Sequence, residues 1–145
     1  MLRYALAGLV LATMAGCSSS GGIKMPFASK GEDRPQLAAY AASTHYPGDV
    51  KPSSDAKVAA LISPKCDSLR VVNFQDQPIR DANVWINRTF VHKVSTIPPH
   101  GSVDLSSKQF FDASGQEMSK LNSGISEVEM QVGNQLYALW NARTD

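Results

Sequence analysis

The chain carries no excess of one charge: 14 Lys and Arg face 13 Asp and Glu, for a formal net charge of +1 over 145 residues. So balanced a surface has no basic field with which to hold nucleic acid or anionic head groups, and no nucleic-acid partner is expected. Cysteine is scarce, with Cys17 and Cys66 alone. Nucleophile elbows of the G-x-S-x-G kind, phosphate loops, H-E-x-x-H and paired C-x-x-C are all missing. His45, His92 and His100 stand apart from one another and from cysteine at ligand spacing, whereas zinc needs three or four converging ligands. No metal or cofactor is therefore expected. Glu127 and Glu129 share one face of an alternating strand, which suits a solvated surface better than carboxylates opposed across a sugar. Asp112 is explained by a turn. The chain reads as a protein that is not an enzyme, and a hydrolase or metal-dependent activity would require His92, Asp112 and neighbouring carboxylates to converge.

Long apolar runs are missing too. Tyr4 to Met14 is apolar over about eleven residues, where a spanning helix needs about twenty. Preceded by Arg3 and followed by Ser18-Ser19-Ser20-Gly21-Gly22, it has the shape of a secretory signal. The run ends in Met14-Ala15-Gly16-Cys17, which resembles the lipobox of bacterial lipoproteins, with Met14 where leucine is usual. The resemblance covers seventeen residues. It implies cleavage before Cys17, a diacylglyceryl thioether on that residue, and a membrane partner held through the lipid, since two or three acyl chains anchor durably where one does not. It also implies a cell-envelope location, and in a host with two membranes Ser18 after the cysteine points to the outer one. An ordinary secretory peptide cut at Ala15 or Gly16 would instead leave Cys17 a thiol. If Cys17 is acylated, Cys66 has no partner within the chain.

The lipobox resemblance implies a signal peptide over 1–16 and a lipidated N-terminus at 17, and composition adds a flexible tether that completes 17–54 and a β domain over 55–145. Pro26, Pro35, Pro47 and Pro52 interrupt regular structure in the tether. Within it Arg34 to Ala42 contains helix formers behind a proline near the start, enough for a short helical turn.

From residue 57 the chain breaks into short β-like runs. KVAALI (57–62) and LRVVNF (69–74) flank a loop; ANVWI (82–86) and TFVHKV (89–94) flank Asn87-Arg88, where Asn tolerates a positive φ. Ile97-Pro98-Pro99-His100-Gly101 is a break, and Ser102 to Leu105 a brief strand. Asp112 and Gly115 mark a turn. Glu127 to Val132 alternates polar and apolar, Gly133-Asn134 turns, and Gln135 to Ala142 returns as one strand. About seven strands, with no long amphipathic helix, predict a single antiparallel β-sandwich. In general look, particularly from Asn73 to the Val84-Trp85-Ile86-Asn87 run, it is similar to immunoglobulin-like or fibronectin-type envelope domains.

The candidate binding residues are aromatic and amide. Trp85 shares a strand face with Asn83 and Asn87, and an indole flanked by two amides suits a sugar ring or a protein anchor. A tryptophan packed in a sandwich core is the commoner arrangement. Tyr137 is ambiguous in the same way. The function expected is a lipid-anchored envelope protein with a non-catalytic binding or structural accessory role, its partner an envelope protein or glycan. Recognition of carbohydrate or peptidoglycan is the alternative, and it requires an exposed Trp85.

Overall fold

The computed structural model describes residues 34–54, 57–65, 67–120 and 124–143. The signal, Cys17 and Cys66 lie outside the described residues. Apolar residues alternate along most of the remainder, and the result is mainly β: a short helix α1 (Arg34–Ser43) followed by β1 (Val58–Ile62), β2 (Ser68–Asn73), β3 (Ile79–Ile86), β4 (Phe90–Ile97), β5 (Ser102–Ser106), β6 (Val128–Val132), β7 (Gln135–Ala138) and β8 (Trp140–Arg143). Two four-stranded sheets form, in the orders β5-β2-β1-β8 and β4-β3-β6-β7, and their inner faces enclose the core. Among the described residues no helix is long and apolar enough to cross a membrane.

Period-two alternation decides which side chains go inward. Val58, Ala60, Ile62, Leu69 and Val71 of one sheet meet Ala82, Val84, Ile86, Val128 and Met130 of the other. The turns close where the sequence places them. Asn87 and Arg88 take φ of 51° and 57° between β3 and β4, and Gly133 takes 57° between β6 and β7. A positive φ at Gly133 but not at Asn134 is the type II′ pattern, whose twist matches the flanking strands. Gly115, at φ 79°, closes the loop in which the Asp112 carboxylate accepts from the Ser114 and Gln116 amides at 2.9 and 2.8 Å. Asn73, fully buried, pins one end of the sandwich. Its amide donates to the carbonyls of Gln77 and Pro98 at 2.9 and 3.1 Å, and its oxygen accepts from the Gln75 amide at 3.0 Å.

Three expectations are corrected. The returning strand over 135–142 is two strands in two sheets: β7 pairs antiparallel with β6, and β8 pairs parallel with β1. Leu139, buried in the core with its amide bonded to the Val128 carbonyl at 3.0 Å, carries the chain across. There are accordingly eight strands, one pair of them parallel. The tether expected to run to residue 54 is folded from Arg34 onward, because Leu37, Ala38, Tyr40, Ala41, Tyr46 and Val50 find an apolar surface to bury against. The wet face expected of β6 is covered by the same segment, and Glu129 is 2% exposed.

Candidate functional site

Of the predicted binding residues, Asn83 and Trp85 lie on β3 and Tyr137 on β7 of the β4-β3-β6-β7 sheet, and Asn87 lies in the turn after β3. With Val84 and Ile86 in the core, Asn83 and Trp85 of β3 point outward, beside Gln131 and Glu129 of β6. That outer face is not open. Residues 34–50 cross it as a strap and form a second apolar cluster with Trp85, Val91, Phe111 and Leu136. Trp85 is 2% exposed, its ring packed edge-on against Tyr46 with centroids 5.4 Å apart and its indole N–H donating to Gln131 at 3.3 Å. The sugar-stacking role that needed an exposed Trp85 is thereby removed.

The other predicted residues are likewise engaged with their own chain. Asn83 accepts a 2.6 Å hydrogen bond from the Tyr40 hydroxyl, which docks α1. Asn87 accepts from the Ser126 amide and hydroxyl at 2.9 and 2.8 Å and donates to the Gly124 carbonyl at 2.8 Å, fixing the approach to β6. Tyr137 packs against the main core with its hydroxyl on Gln135. It borders an open groove of about 430 Å³, whose walls include Lys51, Ser53 and Gln75. Trp85 and Asn83 are thus brought together beneath the strap, and Asn87 and Tyr137 serve elsewhere.

Charged groups missed by sequence reading hold the strap down. Arg34, at the start of α1, pairs with Glu117, a carboxylate only 4% exposed that also bonds the Ser119 hydroxyl. Arg88 pairs with Glu127 at 3.0 Å, lies 3.6 Å from Glu129, and stacks over the Tyr46 ring at 5.8 Å. Burial and a hydrogen bond to Glu129 push the Tyr46 hydroxyl up to about 12. Ser53 finishes the closure by pairing with the edge of β7, its amide bonding the Leu136 carbonyl and its carbonyl the Ala138 amide, both at 2.9 Å.

The outer face of the β5-β2-β1-β8 sheet is different. Here the outward positions are Ala59 and Leu61 of β1, Arg70 and Val72 of β2, Ser102 and Asp104 of β5, and Trp140 of β8, which is the register partner of Ala59. Trp140 is 69% exposed and Phe74, just past β2, is 56% exposed. Arg70 and Asp104 form a two-pronged exposed ion pair at 2.6 and 3.1 Å beside a shallow depression that includes Leu61. Sequence reading named Trp140 only as a strand residue, because a continuous strand would place it with Leu136 on the other sheet.

The remaining candidates for chemistry have structural partners. His92 is buried with its ring 5.5 Å from Phe110, and His100 pairs with Asp76 at 2.8 Å. Hydrogen bonds from Ser114 and from local amides hold the Asp112 carboxyl below its usual range, against the opposing effect of burial. Among the described residues no three His, Cys, Asp or Glu gather as a metal site. Searched against protein-family models, curated proteins and solved structures, the chain matches none.

Proposed function

We propose that this chain is a lipid-anchored cell-envelope protein whose β-sandwich is a non-catalytic binding module, and that it meets its partner through the Trp140 face. The observation that carries the reading is the 69% exposure of Trp140, whose register neighbours are Ala59 and then Val72, on a sheet face that also presents Phe74 at 56% exposure. Exposed aromatics grouped on one face are what interaction surfaces present. The Met14-Ala15-Gly16-Cys17 sequence supports the anchor, and the structural duties of Asp112, Glu117 and Glu129 support a role without catalysis.

A photo-crosslinking residue placed at Trp140, compared with one at Lys93 on the opposite sheet, tests the surface in the intact envelope. Adducts are expected from position 140 and not from 93; equal yields, or none from 140, would overturn it. The mass of the mature N-terminal peptide tests the anchor, which an unmodified Cys17 would exclude.

A further inference from the structure

The occupant of the Trp140 face can be argued from its chemistry and from the chain that leads to it. Trp140 lies against Ala59, whose next neighbour is Val72, with Leu61 in the adjoining row and Phe74 two residues beyond Val72. A sugar-stacking tryptophan needs hydrogen-bonding groups converging around the ring; the ring's own neighbours are aliphatic or aromatic, and the Arg70–Asp104 pair lies on the β2–β5 side of the face, bonded to itself. A large, flat, amphipathic indole on an apolar surface suits the bilayer interface, where the ring sits among head groups and the apolar surface meets acyl chains. The exposed Lys57 lies at the same margin, its carbonyl accepting the Phe74 amide at 2.8 Å, and its charge has the sign that anionic head groups attract.

Chain length limits how far the sandwich can stand from an anchor at Cys17. The tether expected from sequence runs to position 54, whereas α1 begins at Arg34, so positions 18–33 are what separates Cys17 from the described fold. At about 3.6 Å per residue this stretch reaches less than about 60 Å even when fully extended. A surface kept so close to the bilayer meets it at high effective concentration, so a contact too weak to recruit a free protein is populated in an anchored one.

We infer that the Trp140 face is a membrane-contacting surface: the rings of Trp140 and Phe74 seat in the interfacial layer of the same bilayer that holds the anchor, with Lys57 toward anionic head groups. This rests on the anchored reading above.

The test uses the full chain, isolated from membranes and reconstituted in phosphatidylethanolamine–phosphatidylglycerol vesicles with brominated acyl chains, with tryptophan emission as the readout. The Trp140 emission is expected to be quenched while that of Trp85, beneath the strap, is not. Trp140→Phe should remove the quenchable part and Phe74→Ser at least halve it. Trp140→Phe should also leave the thermal midpoint unchanged, which separates lost contact from lost fold. Emission from Trp140 that brominated lipid leaves untouched overturns the inference. So does an emission change produced by soluble muropeptides instead of lipid, or one that tracks protein concentration in detergent and so reports a second copy. An unacylated Cys17 with quenching intact on added vesicles would sink the anchor and leave the surface standing; an acylated Cys17 without quenching would do the reverse.

Discussion

The two sheets of this sandwich share one core but differ in what lies over their outer faces. Trp85, on the β4-β3-β6-β7 sheet, is 2% exposed; Trp140, on the other, is 69% exposed. The first face is covered by residues 34–50, and the edges of its sheet are bridged, β7 by Ser53 and β4 by Phe111. On the second face Trp140 and Phe74 stand largely open, and among the described residues no strand pairs the outer edge of β8. A tryptophan in a strand is therefore not by itself a binding signal. The layer above it decides whether it is buried or presented.

The comparison can be broken most forcefully at Trp85. Trp85→Ala should cost about 3–5 kcal/mol in denaturant unfolding, the loss expected for a large buried aromatic, and a cost below about 1 kcal/mol would show that the strap does not seal that face. Next comes the clasp. Arg34→Ala strips the cationic partner from a carboxylate that is 4% exposed, and should cost about 1–3 kcal/mol while opening the strap to protease before the strands are cut. Arg34→Lys should recover part of the loss.

Alkaline titration sharpens the same contact. Tyr46 has its hydroxyl raised to about 12 in the fold, above the unfolded value near 10, so the folded state holds that proton more tightly. The stability it lends is complete below about pH 10 and is lost as pH rises through 10 toward 12. Thermal midpoints measured across that range should fall for the natural chain and fall less for Tyr46→Phe, and one late tyrosine should appear in the tyrosinate absorbance titration. The smallest effect belongs to the open face. Trp140→Ser should move stability by no more than about 0.5 kcal/mol, as for other exposed substitutions. A loss near that of Trp85→Ala would mean that Trp140 is a packing residue and the contrast between the faces is false.

Much of the β architecture was legible in local patterns. Val128 and Met130 alternate with Glu129 and Gln131, Asn87-Arg88 and Gly133 supply the positive φ that two tight turns need, and Asp112 with Gly115 closes a loop; each is a property of a few adjacent residues. Of the strap, the helix was legible as helix formers around Pro35, but its docking was not. Its apolar residues, Leu37, Tyr40, Tyr46 and Val50, are separated by alanine, proline and glycine with no period to mark a buried face, and they become a layer only when β3, β6 and β7 lie beneath them. The same hidden layer explains why Glu129 read as a solvated carboxylate and why Trp85 stayed open between a platform and a packed residue. Leu139 is a third case, because the pattern from Gln135 to Ala142 suits one strand until the sandwich offers the chain a second sheet to join.

The sequence by itself determined a mainly β chain with its turns and a near-balance of charge, since these are written in composition or in neighbouring residues. Tertiary structure alone decided which tryptophan is buried and which is presented, how much of the expected tether is folded, and where β8 pairs. Those outcomes depend on contacts between segments tens of residues apart, such as Tyr40 with Asn83, Arg34 with Glu117 and Ala59 with Trp140, and no local pattern encodes which of two apolar faces a distant segment will cover.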